Sequence, residues 1–313
     1  MRLGIVVLNW NGKEVTPRCL DSIYRSTYLP DSTVVVDNAS IDGSRDVIRK
    51  RFPQAVLIEN DSNLGFAEGC NIGIRYLLER EFELILILNN DTEVDAKCLH
   101  ELCRAAASHP AAAYAATIYE HENHGTVWYG GGTISRLTLE ARHETRPADG
   151  PGLPRPTEFI TGCCMLFRSE ALKHIGLLDP DFFAYYEDVD WCLRAKASGC
   201  NLLHVPKAAV YHDVSHSFRR AGSNQDGSTR FSWAQKRPVV LHLSYRNRLL
   251  LARKHSKSIG HFLFLELRCM GRAVIHAGLL LLIGQTERGR AVISGVRKGL
   301  SKDPMRPRVH SNP

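Results

Sequence analysis

The 313-residue sequence lacks the cysteine spacing of a zinc ribbon or of a thioredoxin-like redox centre. Its nine cysteines are odd in number and include no Cys-x-x-Cys pair. We therefore expect mostly buried, reduced thiols in a protein of a reducing compartment.

Long apolar runs are missing as well. The apolar run at residues 3–8 is too short for the core of a secretory signal and leads straight into the turn at residues 9–12. The apolar stretch at residues 259–283 is interrupted by three charged side chains, Glu266, Arg268 and Arg272. No uninterrupted stretch there has the length of a membrane span, and we expect a cytoplasmic protein.

Basic residues are scarce in the first two thirds of the chain and abundant after it. Residues 1–213 carry 21 Lys and Arg against 29 Asp and Glu, a net charge of −8. Residues 214–313 carry 19 against 4, a net charge of +15. Such a tail suits an anionic membrane surface, a phosphorylated ligand or nucleic acid.

The first half alternates short β-branched runs with helix-like stretches, which is typical of an α/β domain with a mainly parallel sheet. The predicted strands end in polar residues, namely Asn9, Asp37, Asn60 and Asn89–Asp91. Ligands of open α/β sheets bind at the carboxyl edge of the strands, so this recurrence predicts a binding site there.

The tail from residue 238 is predicted to form amphipathic helices. An apolar helix face beside a basic cluster favours association with anionic lipid, so we expect a peripheral membrane protein. Packing of the helices on the catalytic domain or on a homodimer partner remains the alternative. Nucleic acid is not expected, because no known binding module accompanies the charge.

Ordered motifs give the sequence a family resemblance. The segments "IVVLNWNG", "VVVDNASIDGS", "NLGFAEGCNIGI" and "LILNNDTEV" are followed by "FITGCCMLFRSEAL", "FFAYYEDVDWCLRAKASG" and "VYHDVSHS". Over roughly residues 3–220 the chain resembles glycosyltransferase family 2, in its bacterial rhamnosyltransferase-like branch.

The resemblance implies a GT-A nucleotide-diphospho-sugar transferase fold, Rossmann-like with a mainly parallel sheet, followed by a C-terminal helical tail. The catalytic domain would cover residues 1–237, with a nucleotide-binding half at 1–110 and an acceptor half at 111–237. Residues 238–313 would form the basic tail.

Three residues of the first half are expected to bind the donor. By resemblance, Asp37 contacts the nucleotide base or ribose, although Asp also caps turns of this kind. Asn63 and Asn71 lie in a Gly-rich segment whose backbone N–H groups suit a phosphate. A closely packed helix explains that segment equally well.

The metal site is expected at Asn89–Asp91, which occupies the place of the family's DxD motif. Asn89 replaces the first carboxylate and is expected to hydrogen-bond the ribose, which leaves Asp91 as the main ligand of Mg²⁺ or Mn²⁺. The resemblance makes His212 a further ligand, with a structural histidine as the alternative. Arg219 is expected to clamp the diphosphate.

Glu187 and Asp188 match the family's ED motif, which makes Asp188 the general base and Glu187 its substrate-contacting neighbour. Two adjacent carboxylates repel, which raises one pKa. An acidic helix N-terminus accounts for the same residues. Gly162 is expected to line the acceptor side, with one or two of the aromatic residues Phe182, Phe183, Tyr185 and Tyr186 touching ligand.

The resemblance therefore implies an inverting transferase that moves a sugar from a nucleotide-diphosphate donor, best matched by dTDP-rhamnose, to a lipid-linked or cell-envelope glycan. A UDP-sugar donor is the main alternative. A catalytically silent nucleotide-sugar-binding protein and a nucleotidyltransferase are weaker alternatives.

Overall fold

The computed structural model describes residues 1–146, 152–213 and 237–301. The chain divides into two compact units, one of Met1–Ile134 with Glu140–Ser217 and the other of Ser135–Leu139 with Phe218–Pro313. All strands of the described residues belong to the first unit, and the three C-terminal helices belong to the second.

The strands of the first unit are β1 Leu3–Asn9, β2 Ser32–Asp37, β3 Val56–Glu59, β4 Leu84–Asn89, β5 Thr92–Val94, β6 Ala113–Glu120, β7 Val127–Tyr129, β8 Gly132–Ile134, β9 Ala141–His143, β10 Arg155–Thr157, β11 Cys164–Arg168 and β12 Leu202–His212. Its helices are α1 Val15–Tyr24, α2 Ser44–Arg51, α3 Gly65–Leu78, α4 Cys98–Ser108, α5 Ser169–Ile175 and α6 Glu187–Ala197. A 3₁₀ turn covers Pro180–Phe182.

One twisted sheet organises this unit, with the strand order β10-β12-β6-β11-β4-β1-β2-β3. The four strands β1 to β4 are mutually parallel, and β6 is parallel to β12. Strand β11 runs antiparallel to both β4 and β6 and so joins the two parallel sets. Central strand β4 is buried from Leu84 to Leu88, as expected for an apolar run covered on both faces.

The first four strands and three helices lie where the sequence predicts them. The segment 202–212 is one strand with an irregularity between Val205 and Ala209. Pro206 lies within that irregularity and cannot donate a ladder hydrogen bond, so the strand pattern of the sequence is interrupted there. Strand β6 is also weakly marked in the sequence, because its alanines carry little strand propensity.

The second unit contains α7 Pro238–His255, α8 Ile259–Leu282 and α9 Thr286–Ser301, which confirms the predicted C-terminal helices. The three helices share a small apolar core with buried side chains at Leu241, Tyr245, Leu249, Cys269, Ala273, Ala277, Leu280 and Val292. In the described part of the chain, none of the helices is both long enough and apolar enough to cross a membrane.

Gly73 lets α3 lie directly on the sheet. A Cβ atom at this position would stand 2.5 Å from Cγ1 of Val6 and 3.2 Å from Cγ2 of Val36, both within the buried β1–β2 layer. We expect Gly73→Ala to lower the free energy of unfolding by about 1–2 kcal/mol, because overpacking of this kind outweighs the gain in helix propensity.

Urea unfolding measures this change, with Gly271→Ala as the matched control. An added Cβ at Gly271 meets no heavy atom within 4 Å, so that variant should be as stable as the parent or slightly more so. Equal stability of the Gly73→Ala variant and the parent would contradict the close approach of helix and sheet.

Candidate active site

A buried hydrogen-bond network at the carboxyl ends of β1 and β2 is centred on Asn9. The Asn9 amide nitrogen donates to the Asp37 carboxylate (2.6 Å) and to the Ser44 hydroxyl (2.9 Å). The Asn9 amide oxygen accepts from the Thr16 hydroxyl (2.6 Å). The Ser40 N–H also donates to Asp37 (2.9 Å), so Asp37 closes the turn that follows β2.

The Asp37 side chain is fully buried within this network, and Nε of Arg45 lies 3.8 Å from it. The geometry supports the turn-capping interpretation, and the nucleotide contact of Asp37 stays a prediction. In the sequence, Asn9 is marked only as a polar residue at a strand end. Its place at the centre of this network becomes visible only in the structure.

A cavity of about 420 Å³ opens beyond the same turn. It is lined by Ser40, Ile41, Gly43, Arg45, Asp46, Arg49 and Glu59. Arg45 pairs with Glu59, and Arg49 pairs with both Glu59 and Asp46, so two carboxylates balance the two basic groups of the cavity. Neither the expected base nor the expected metal ligands line this cavity.

The amino end of α3 is used to hold protein backbone. The N–H groups of Phe66 and Ala67 both donate to the carbonyl oxygen of Phe183, at 2.6 and 3.2 Å. Gly65 has a φ of +83°, and a Cβ atom there would stand 2.5 Å from that oxygen. Asn63 accepts from the Gly65 N–H (2.9 Å), so the Gly-rich start anchors the loop before α6.

Asn71 anchors the same region at a second point. Its amide nitrogen donates to the Leu178 carbonyl (2.8 Å), and its amide oxygen accepts from the Leu178 N–H (3.1 Å). The geometry favours the closely packed helix for this segment. Donor contacts by Asn63 and Asn71 stay predictions.

Strand pairing brings Asp91 and His212 together. Strand β5 pairs antiparallel with the end of β12, so that Thr92 lies opposite His212. The Asp213 N–H donates to the Asp91 carbonyl (2.9 Å) and fixes the register one residue further. As a result Oδ1 of Asp91 lies 3.3 Å from Nε2 of His212, with the two side chains only 11% and 9% exposed.

The imidazole of His212 fits a metal-binding role. Neither of its ring nitrogens has a hydrogen-bond partner among the described residues, although both are buried. The Trp128 ring packs edge-on against it, with 5.0 Å between centroids. Sequence analysis gave no signal for Trp128.

The residues present suit Mg²⁺ or Mn²⁺. No group of three or more His, Cys, Asp and Glu side chains within residues 1–146, 152–213 and 237–301 could hold a metal ion. The protein would thus supply Asp91 and His212, and Mg²⁺ commonly completes its shell with water and substrate phosphates. The buried Oδ1 of Asn89 also has no hydrogen bond among the described residues.

Asp188 lies in the first turn of α6 and is fixed by backbone donors. The Gly162 N–H donates to its Oδ2 (3.0 Å), and the Val189 N–H donates to its Oδ1 (2.8 Å). Burial raises the pKa of Asp188 above its ordinary value, although these backbone hydrogen bonds act in the opposite direction.

Glu187 is the more strongly perturbed of the two adjacent carboxyls. Burial raises its pKa well above the ordinary value, and the charge of Asp188 adds to the effect. Its Oε2 has no hydrogen-bond partner among the described residues. Of the two coupled carboxyls, Glu187 therefore holds its proton more strongly, and Asp188 ionises first.

The main chain of Gly162 and Cys163 lies between Asp188 and the end of β4, after which the predicted metal-binding residue Asp91 follows. Gly162 donates to Asp188, and the carbonyl of Cys163 accepts from the Asn89 N–H (2.9 Å). Burial and the charges of both Asp91 and Asp188 raise the pKa of the Cys163 thiol well above its ordinary value. Both carboxylates therefore lie close to one two-residue segment. Cys163 belongs to this segment, although the sequence pattern singles out only its neighbour Gly162.

The aromatic segment before α6 has a constrained backbone. Phe183, Tyr185 and Tyr186 all have positive φ values, which are uncommon for such bulky side chains. Phe182 is fully buried and Tyr185 is exposed, so Tyr185 is the better placed of these two to touch a ligand. Within α6, Arg194 pairs with the buried carboxylate of Asp190 at 2.8 Å.

Arg219 cannot be placed, because it lies outside the described residues. The remaining predicted site residues lie in the first unit. The structure brings Asn89, Asp91 and His212 together at one edge and places Gly162, Glu187 and Asp188 beside it. Asp37, Asn63 and Asn71 form the anchoring networks around α3 and the β2 turn.

Two curated proteins resemble the chain over most of its length. The N-acetylglucosaminyl-diphospho-decaprenol L-rhamnosyltransferase of Mycobacterium tuberculosis is 25% identical over 240 residues, which covers 70% of this chain and 78% of that protein. The dTDP-rhamnosyl transferase RfbF of Shigella flexneri is 26% identical over 250 residues, covering 79% and 78%.

A solved structure of similar fold is the mannosyltransferase PcManGT from Pyrobaculum calidifontis, in complex with GDP-Man and Mn²⁺. It matches with a TM-score of 0.57 at 14% identity and covers 96% of this chain and 87% of that one. The chain therefore has the GT-A fold with C-terminal helices that the resemblance implied.

The family model described as "Glycosyl transferase family 2" matches residues 4–176, which is more than half of the sequence. The match covers the strand ends from Asn9 to Asp91 and the Gly162–Cys163 segment. The chain belongs to glycosyl transferase family 2.

Proposed function

We propose that the protein is an inverting glycosyltransferase in which Asp188 is the general base and Asp91 and His212 hold a divalent cation. The observation that carries this proposal is the Gly162–Cys163 segment, which hydrogen-bonds Asp188 on one side and Asn89 on the other. A base and a metal edge so close together are what direct displacement at one anomeric carbon requires.

In the proposed reaction, Asp188 takes the proton of an acceptor hydroxyl. The acceptor oxygen then forms a bond to the anomeric carbon while the bond from that carbon to the diphosphate breaks on the opposite face. Mg²⁺ or Mn²⁺, when bound, neutralises charge on the departing diphosphate. Because Glu187 holds its proton more strongly than Asp188, Asp188 is the member of the pair that serves as the base.

The proposed donor is dTDP-rhamnose, and the proposed acceptor is a lipid-linked or cell-envelope glycan. Two relatives support these choices, one a dTDP-rhamnosyl transferase and the other an N-acetylglucosaminyl-diphospho-decaprenol L-rhamnosyltransferase. A UDP-sugar donor is the competing candidate. In this proposal Asn89 contacts the nucleotide sugar and Arg219 contacts its diphosphate. Donor contacts by Asp37, Asn63 and Asn71 stay predictions, because their hydrogen bonds in the described structure hold turns and backbone.

Residues 1–237 are proposed as the catalytic domain and 238–313 as its membrane-associating tail, on the cytoplasmic side of the plasma membrane. A catalytically silent nucleotide-sugar-binding protein is the alternative from another class. A silent binding protein would not need the carboxylate of Asp188 with its raised pKa or the buried Asp91–His212 pair.

A panel of dTDP- and UDP-sugars tests the proposal directly. We expect hydrolysis of one donor to require Mg²⁺ or Mn²⁺ and to be fastest with dTDP-rhamnose. The absence of metal-dependent hydrolysis with every donor, together with tight nucleotide-sugar binding, would favour the silent binding protein.

Asp188→Asn should lower kcat for sugar transfer by about 10²–10⁴-fold, because the amide cannot accept the acceptor's proton. Glu187→Gln should lower kcat far less, because Glu187 is the carboxyl that holds its proton more strongly and the amide has the shape of a protonated carboxyl. Donor binding, measured by calorimetry, should be nearly unchanged in both variants. Equal losses in the two variants would remove the assignment of Asp188 as the base.

The pH dependence follows from the raised pKa of Asp188. Since only the ionised carboxylate acts as a base, kcat/KM should fall as the pH falls through that pKa. This decline should begin at a higher pH than an ordinary Asp carboxyl would allow. A kcat/KM that stays constant down to the ordinary range of Asp would contradict the proposed role.

Asp91→Ala should abolish the stimulation of donor hydrolysis by Mn²⁺, and His212→Ala should raise the Mn²⁺ concentration for half-maximal rate at least about tenfold. The matched control is His121→Ala, because His121 is a nearby imidazole that pairs with Glu93 (3.1 Å). Its Mn²⁺ titration should match that of the parent. An unaltered titration in both ligand variants would refute the metal site.

A further inference from the structure

Helix α8 buries one side and exposes an apolar opposite side. Its buried residues are Leu265, Cys269, Ala273, Ala277 and Leu280, and four of these belong to the three-helix core. At about 100° per residue the opposite side carries a row of exposed large side chains, here named the α8 outer face. These are Leu263, Phe264, Leu267, Val274, Ile275, Leu281 and Leu282.

The concentration of exposed apolar side chains on this segment is high. Among the described residues 21 large hydrophobic side chains are exposed, and ten of them lie between Ile259 and Ile283. Singly scattered exposed hydrophobics are normal, whereas a continuous row marks a binding surface. The row runs along a 24-residue helix of about 36 Å.

Two of the three charged residues of α8 lie away from this row, and the third lies at its border. Glu266 and Arg272 project about 100° or more from the centre of the outer face, whereas Arg268 borders the face beside Ile275. Glu266 is directed toward Arg253 of α7, with 3.9 Å between their charged atoms. Gly271 and Gly278 occupy the remaining positions near the centre of the outer face, so it carries no charge along its length.

The net positive charge of the C-terminal helices favours one occupant of the outer face over the other. Helix α9 exposes the basic side chains of Arg290, Arg297 and Lys298. A second copy of the chain would bring another basic tail of +15 against the first, which costs free energy. An anionic bilayer surface offers apolar acyl chains to the outer face and negative headgroups to the basic side chains.

We propose that the α8 outer face is the membrane-binding surface of this protein, lying in the plane of an anionic bilayer with α8 parallel to it. The apolar row would enter the boundary between headgroups and acyl chains, and the basic residues of α9 would contact headgroup phosphates. The purpose of this membrane binding rests on the proposed function, because binding to the membrane would keep the enzyme beside a lipid-linked acceptor.

Sedimentation of the full chain with vesicles tests this surface. The parent should bind vesicles of phosphatidylglycerol and phosphatidylcholine far better than vesicles of phosphatidylcholine alone. The double variant Leu267→Asp, Val274→Asp should bind at least about 100-fold more weakly, because two large apolar contacts are lost. Leu29→Asp is the matched control, since Leu29 is 59% exposed and Leu267 is 64% exposed.

A second variant keeps the apolar row and changes only the charge. Arg290→Gln with Arg297→Gln should weaken binding to the anionic vesicles about fivefold for each replaced charge. Circular dichroism should show unchanged helix content, because both side chains are exposed. Binding to anionic vesicles should also weaken as salt is raised.

Undiminished vesicle binding by the double variant, or no binding by the parent, would overturn the proposal. A parent dimer that the double variant converts to monomer, without vesicle binding, would instead assign the outer face to a second copy and also overturn it. Metal-dependent donor hydrolysis in solution should be equal in parent and double variant. A parent protein that hydrolyses no donor would contradict the proposed function, and this result is independent of vesicle binding.

Discussion

The two hydrogen bonds made by the main chain of Gly162 and Cys163 are the constraint on which the site depends. One fixes the carboxylate of Asp188 (3.0 Å), and the other fixes the backbone of Asn89 (2.9 Å), two residues before Asp91. Because the segment leads into β11, which pairs with both β4 and β6, its position is set by the centre of the sheet. The spacing of the proposed base and the proposed metal ligand Asp91 is thus a property of the sheet itself.

Around this centre, polar side chains hold loops. Asn9 ties the β2 turn to α1, and Asn71 with the start of α3 holds the loop that leads into α6. Several side chains that the sequence marks as candidate ligand contacts therefore make their hydrogen bonds to the protein backbone. That use preorganises Asp188, since a base must be held in place before its substrate arrives.

Much of this architecture could be predicted from the sequence. Alternation of β-branched runs and helical stretches predicted β1 to β4 with their helices, and polar strand ends predicted the edge that carries the site. The adjacency of Glu187 and Asp188 predicted one raised pKa through repulsion. Burial is the larger cause of the raised pKa of Glu187 and the charge of Asp188 the smaller one, so adjacency in the sequence accounts for only the lesser part.

The rest depends on contacts between distant segments. The 3.3 Å approach of Asp91 and His212 arises from the register of β5 against β12, and local periodicity carries no information about register. Pro206 interrupts the strand pattern of β12, and the alanines of β6 have little strand propensity, so neither strand is clearly marked in the sequence. The α8 outer face was equally obscured, because amphipathicity alone does not say which side the neighbouring helices cover.

The account's central claim is that Asp91 and Asp188 flank one donor site. The most direct measurement is the anomalous scattering of Mn²⁺ in crystals grown with Mn²⁺ and a nucleoside diphosphate. We predict one Mn²⁺ peak at Asp91 and His212, with the diphosphate on the metal and Asp188 facing it across the space for the sugar. A peak at another edge of the sheet, or a diphosphate turned away from Asp188, would contradict the account.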